Sequence, residues 1–113
     1  MLPLVGRTQK GGIEIVNLLQ TGSAFYAPAS SAVEMIDAIL HDKKQILPCS
    51  CYLEGEYGIS GVFVGVPTKL SSKGIEQILE LKLNETEITA LKASAESVRK
   101  NVQRLEELKS LVS

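Results

Sequence analysis

The sequence predicts an α+β domain: two N-terminal helices, a three-stranded antiparallel sheet and a long C-terminal helix. Three observations carry this. Asn84-Glu85-Thr86-Glu87 has the form of a capping box, and behind it Ile88, Leu91, Ala95, Val98, Val102, Leu105 and Leu108 recur every three or four residues. Gly61 to Pro67, GVFVGVP, is β-branched and apolar between turn residues, which marks a strand. The segment ahead of Asp42 instead carries apolar positions at helical spacing, interrupted at Thr21-Gly22-Ser23. Short links favour antiparallel strands with the helices on one face.

In order along the chain, Gly6 to Thr21 places Ile13, Ile15, Val16, Leu18 and Leu19 on a wide apolar face and predicts a first helix. Gly11 and Gly12 weaken its first half by roughly 1 kcal/mol each relative to Ala. Gly22 reads as its stop and Ser23 as the N-cap of a second helix, Phe25 to His41, with Val33, Met35, Ile36, Ile39 and Leu40 as its apolar positions. Asp42-Lys43-Lys44 is a polar turn. Gln45 to Glu54 partly alternates and predicts the first strand, and Gly55 to Gly58 a turn. Gly61 to Pro67 is the second strand, Thr68 to Lys73 a polar connection, and Ile75 to Leu81 the third strand. The last helix follows its capping box, and its apolar stripe reads as a core face in preference to a coiled-coil seam.

Composition narrows the function classes. A chain of 113 residues makes one small domain. A net charge of −1 supplies no field for nucleic acid or anionic membrane, and 4% aromatics give little surface for base stacking. No apolar run approaches the ~20 residues of a membrane span, and Met1 to Val5 is too short for a signal peptide. Two cysteines make no disulfide framework, so a reduced, cytoplasmic protein is expected.

Self-contained chemistry is sparse. Cys49 and Cys51 lie two apart and share a strand face, which is half of a zinc site but also simply two small apolar side chains; with no second cysteine pair, no metal ligand is assigned. His41, the one histidine, sits at a helix end, where it complements the dipole more simply than it serves as a general base. No glycine-rich phosphate cradle is present.

The segments RTQKGGIEIVNLLQTGSAFYAPASSAVEMIDAIL, LPCSCYLEGEYGISGVFVGVPTKLSSKGIEQILEL and LNETEITALKASAESVR resemble the C-terminal, substrate-binding part of bacterial malate dehydrogenases, the branch similar to lactate dehydrogenases. LEGEYG, VGVP and GSA-x-x-AP carry the resemblance, which covers residues 7–113 and leaves 1–6 as an unmatched start. It implies an NAD-dependent oxidoreductase that interconverts malate and oxaloacetate, works as a homo-oligomer, and binds NAD on a Rossmann half with no counterpart here. The family's catalytic histidine lies in an H-G-D segment and its partner aspartate in D-x-x-R. Neither motif occurs in these residues, so no catalytic residue is assigned. What the resemblance does imply is a pocket wall. Ser23 offers its hydroxyl or amide to the bound acid, Ala24 stands where lactate dehydrogenases commonly place threonine, and Pro28 packs near the nicotinamide. Gly11 and Gly12 match a glycine pair on a helix passing the active site. The expected product is an enzyme fragment inactive by itself; the alternative is a freestanding, self-associating module derived from the same domain.

Overall fold

The structure, a computed structural model, describes residues 2–22 and 24–112. The chain divides into two compact units, 1–37 and 38–113. The first unit holds α1 (Leu2–Gln9), α2 (Gly11–Leu19) and most of α3 (Tyr26–Leu40). The single helix expected over 6–21 is thus two short ones. The break is at Lys10, where φ is −103° and ψ is 10°. Its N–H is shared between the Gly6 and Arg7 carbonyls at 3.2 Å each, and the glycine pair behind it supplies little propensity to carry the helix through. Arg7 spans the break, its Nε and Nη2 donating to the two carboxylate oxygens of Glu14 at 3.0 and 2.7 Å. α2 ends one turn before Gly22: Gln20 is left-handed (φ 63°) and its N–H closes on the Val16 carbonyl at 2.9 Å. None of the described side chains of this unit is buried, so the wide apolar face of α2 does not form the core expected of it.

The second unit holds β1 (Gln45–Glu54), a single 3-10 turn (Glu56–Gly58), β2 (Ser60–Ser71), β3 (Gly74–Ile78) and α4 (Glu85–Val112). The strands form one antiparallel sheet in the order β1-β2-β3. Alternation decides its faces. Cys49, Cys51 and Leu53 of β1 and Val62, Val64, Val66, Thr68 and Leu70 of β2 point inward, and Ala38, Ile39, Leu91, Ala95 and Val98 pack over them. Both cysteines are therefore core residues, and burial pushes the Cys49 thiol up. The Cys51 sulfur lies 3.1 Å from the Thr68 hydroxyl, which reaches the Val66 carbonyl at 3.0 Å.

Two strand limits differ from expectation. The connection read as polar over 68–73 is mostly strand, because Thr68 points into the core, Ser71 is buried as well, and only Ser72 and Lys73 turn. β3, expected to reach Leu81, stops at Ile78. In the antiparallel register the next residue, Leu79, faces Pro67, and proline has no N–H to return to the ladder. Pro67 also faces Pro48 across the sheet; that pair needs no hydrogen bond of its own, so both prolines are tolerated. α4 starts on the expected capping box: Asn84 Oδ1 accepts the Glu87 N–H at 2.8 Å, and Glu87 Oε2 accepts the Asn84 N–H at 3.0 Å. Its apolar stripe covers the sheet only through Val98. Val102, Leu105 and Leu108 continue it into solvent.

Candidate functional site

The break between α2 and α3 is where the sequence concentrates its small residues. Gly22 has φ +79°, a conformation that glycine adopts without steric cost. α3 begins at Tyr26, and the Ala29 N–H bonds to the Phe25 carbonyl at 3.0 Å, so Phe25 occupies the N-cap position expected of Ser23. Ser23 itself, the expected substrate contact, lies outside the described residues. Pro28 is the third residue of the helix. An N–H there has no intrahelical acceptor, so the proline costs no hydrogen bond.

Ala24 and Pro28 are brought together. Both line a cleft of about 650 Å³ with Gly11, Gly12, Ala27 and Ser31. Ala24 is half-buried and Pro28 is exposed. A β-carbon placed on Gly12 would stand 4.0 Å from the Ala24 β-carbon, and one on Gly11 would meet open space. Sequence reading assigned Ile15 only to the apolar face of its helix and did not single out Thr8, Ala27 or Ser31, although the last two complete a legible pattern. Positions 24, 27, 28 and 31 fall at i, i+3, i+4 and i+7, one face of α3, and positions 8, 11, 12 and 15 repeat that spacing across the helix break.

This cleft has a definite chemistry. Its walls are small, uncharged and largely apolar, and among the described residues neither a carboxylate nor a histidine lines it. The Thr8 hydroxyl is spent on the Leu4 carbonyl at 2.8 Å. Nothing there can take up a proton at neutral pH, so the cleft can exclude water and shape a ligand but cannot act as acid or base. A second cleft of the same unit, about 580 Å³, is charged instead. It is lined by Arg7, Lys10, Glu14 and Asn17, and the Arg7 guanidinium holds the Glu14 carboxyl below its ordinary range. Among the described residues no group of three or more His, Cys, Asp or Glu could hold a metal ion, and no helix is long and apolar enough to cross a membrane.

The profile of the lactate/malate dehydrogenase α/β C-terminal domain matches residues 2–109. The chain belongs to that family. Malate dehydrogenase from Chlorobium phaeobacteroides is 61% identical over 105 residues, covering 93% of this chain and 34% of that protein. Malate dehydrogenase from Salinibacter ruber superposes with a TM-score of 0.91 at 45% identity, covering 98% of this chain and 36% of that one. Lactate dehydrogenase from Eimeria maxima, solved with NADH and oxamate, superposes with a TM-score of 0.87 at 41% identity, covering 93% and 33%. The chain thus spans about a third of the length of its relatives, and its fold is that of the lactate/malate dehydrogenase C-terminal domain.

Proposed function

We propose that the chain is the C-terminal third of an NAD-dependent malate dehydrogenase, supplying one wall of the substrate pocket and surfaces for subunit contact, and that it does not turn over alone. Identity to malate dehydrogenases over nearly the whole chain supports the family activity. The observation that carries the pocket role is the convergence of Ala24 and Pro28 on one uncharged cleft. Small side chains there let a ligand approach the backbone, and Gly22 permits the turn that presents them.

The same cleft fits only part of a dinucleotide. Ala24, Ala27 and Pro28 suit the face of a flat uncharged ring, whereas among the described residues no arginine, lysine or glycine-rich turn lines the cleft to hold the pyrophosphate. NAD, anchored elsewhere in the enzyme, supplies the hydride chemistry. On this reading the residues of this chain shield and orient, and the proton relay comes from outside the chain. Malate and oxaloacetate are the substrates, and Ser23, outside the described residues, is the residue assigned to contact the acid.

A graft tests this. This chain replaces the matching C-terminal segment of Chlorobium phaeobacteroides malate dehydrogenase, and oxaloacetate-dependent NADH oxidation is followed. An active chimera beside a silent 113-residue chain is the expected result. A folded chimera without activity, or turnover by the chain alone, overturns the reading.

A further inference from the structure

Pro67 leaves a defect in the sheet, and the defect is repaired from outside the ladder. Leu79 donates its N–H to the Pro67 carbonyl at 2.9 Å. In the register set by Thr68 opposite Ile78, this is one of the two bonds that an antiparallel pair at 67 and 79 would exchange. The return bond, from the N–H of residue 67 to the Leu79 carbonyl, is impossible because residue 67 is proline. The Leu79 carbonyl instead accepts the Tyr57 hydroxyl at 2.6 Å. The same hydroxyl oxygen accepts the Leu81 N–H at 2.8 Å. Glu80, between those two residues, completes the contact by accepting the Tyr57 backbone N–H on Oε1 at 3.0 Å.

Tyr57 therefore touches three consecutive residues with three hydrogen bonds, and its placement is specific. It sits in the 3-10 turn at φ +57° and ψ 20°, a left-handed conformation unusual for a residue with a large side chain. It is flanked by Gly55 and Gly58, both at positive φ. Its ring is half-buried against the core, so the hydroxyl is held by packing as well as by its partners. The segment it holds is the link between the sheet and the capping box of α4, which starts at Asn84. Beyond Ile78 the link has left the strand.

We infer that Tyr57 is a clasp: its hydroxyl stands in for the backbone donor that Pro67 lacks, and it fastens residues 79–81 so that α4 is delivered onto the sheet. Tyr57 and Pro67 are a functional pair, and the tyrosine is a positioning residue for the start of α4. The clasp is independent of whether the complete protein acts on malate, so its test is separable from that of the proposed function.

The experiment is a double-mutant cycle of Tyr57→Phe and Pro67→Val, read by amide hydrogen exchange on the 113-residue chain. Tyr57→Phe keeps the ring and removes both hydroxyl bonds. It is expected to lower protection of the Leu81 amide several-fold to about tenfold, the scale of one lost hydrogen bond, while protection in the β1–β2 ladder changes less. Pro67→Val supplies the missing N–H; the amide gained at position 67 is expected to be protected, and the double variant to recover part of the loss across 79–81. Unchanged Leu81 protection in Tyr57→Phe overturns the inference, as does a loss that Pro67→Val does not reduce. If Tyr57→Phe does not fold, Pro67→Val decides alone: fast exchange of the amide gained at position 67 shows that the Leu79 carbonyl is not placed to receive it.

Discussion

At Gly22 and Asp42 single atoms carry structural decisions. Gly22 holds φ +79°, and an added β-carbon would meet the Phe25 ring at 3.6 Å. That distance is ordinary contact, so the strain of Gly22→Ala is in the backbone and not in a clash. The expected cost is about 1–2 kcal/mol for an L-residue in the left-handed region, read as a lower urea midpoint with unchanged m. Asp42 acts through charge. It ends the turn after α3, and its Oδ1 accepts the Ser72 N–H at 2.9 Å, tying that turn to the β2–β3 hairpin. This backbone hydrogen bond is the main cause that holds the Asp42 carboxyl below its ordinary value, against a smaller opposing effect of desolvation. The sign follows. A carboxyl depressed in the folded state contributes stability that is present above its unfolded pKa, about 3.9, and is lost as pH falls through the lower folded value. Asp42→Asn keeps an acceptor but removes the titration. Its unfolding midpoint is expected to fall less than that of the native chain on acidification below about pH 4, and parallel acid profiles for the two chains would show that Asp42 is uncoupled from folding.

Elements differ in how far their residues announce them. β1 is legible to the residue because Gln45 to Glu54 alternates between turn signals, and its odd positions are the buried ones from Cys49 on. The end of β2 is not, because Thr68 and Ser71 are polar residues that are buried. Thr68 is satisfied by the Cys51 sulfur and the Val66 carbonyl, and the Ser71 hydroxyl accepts the Lys73 N–H, partners that belong to the fold and not to the local pattern. The end of β3 is hidden in the same way: Pro67 stops it, but only the register shows that Pro67 faces Leu79. In the candidate site, Ala24 and Pro28 are placed by family resemblance, while Ala27 and Ser31 follow from helical spacing once α3 is known. The start of α4 is the most legible feature, since both bonds of its capping box form. Asn84→Ala is expected to cost about 1 kcal/mol. Asn84→Gly, which keeps the cap's backbone preference, is expected to cost only a few tenths. Equal losses in the two thermal melts would mean that the backbone preference of the cap contributes nothing and that the loss comes from the missing side-chain bond to Glu87.

On the scale of the whole molecule, the chain exposes more apolar surface than its core explains. Leu18 of α2 is 78% exposed, and Leu105 and Leu108 of α4 are 65% and 49% exposed, each on the helical stripe that sequence reading assigned to a core. The family length offers a reason: the chain covers about a third of its relatives, and stripes of this kind are complete only when another surface covers them. Isolated, the chain has only further copies of itself to offer. Sedimentation equilibrium of the 113-residue chain is therefore expected to give a mass above 12.2 kDa at high concentration. Leu105 and Leu108 lie beyond the part of α4 that packs on the sheet, so Leu105→Glu with Leu108→Glu should lower that mass without lowering the thermal midpoint. Sulfate distinguishes the force involved. Apolar association strengthens as sulfate is added, whereas association through surface charge is screened and weakens. With a net charge of −1, little repulsion opposes contact between copies, and the apolar outcome is the expected one. A folded chain that stays at its monomer mass across the concentration range would show that these stripes remain solvated, and the self-associating alternative to the enzyme reading would fall with it.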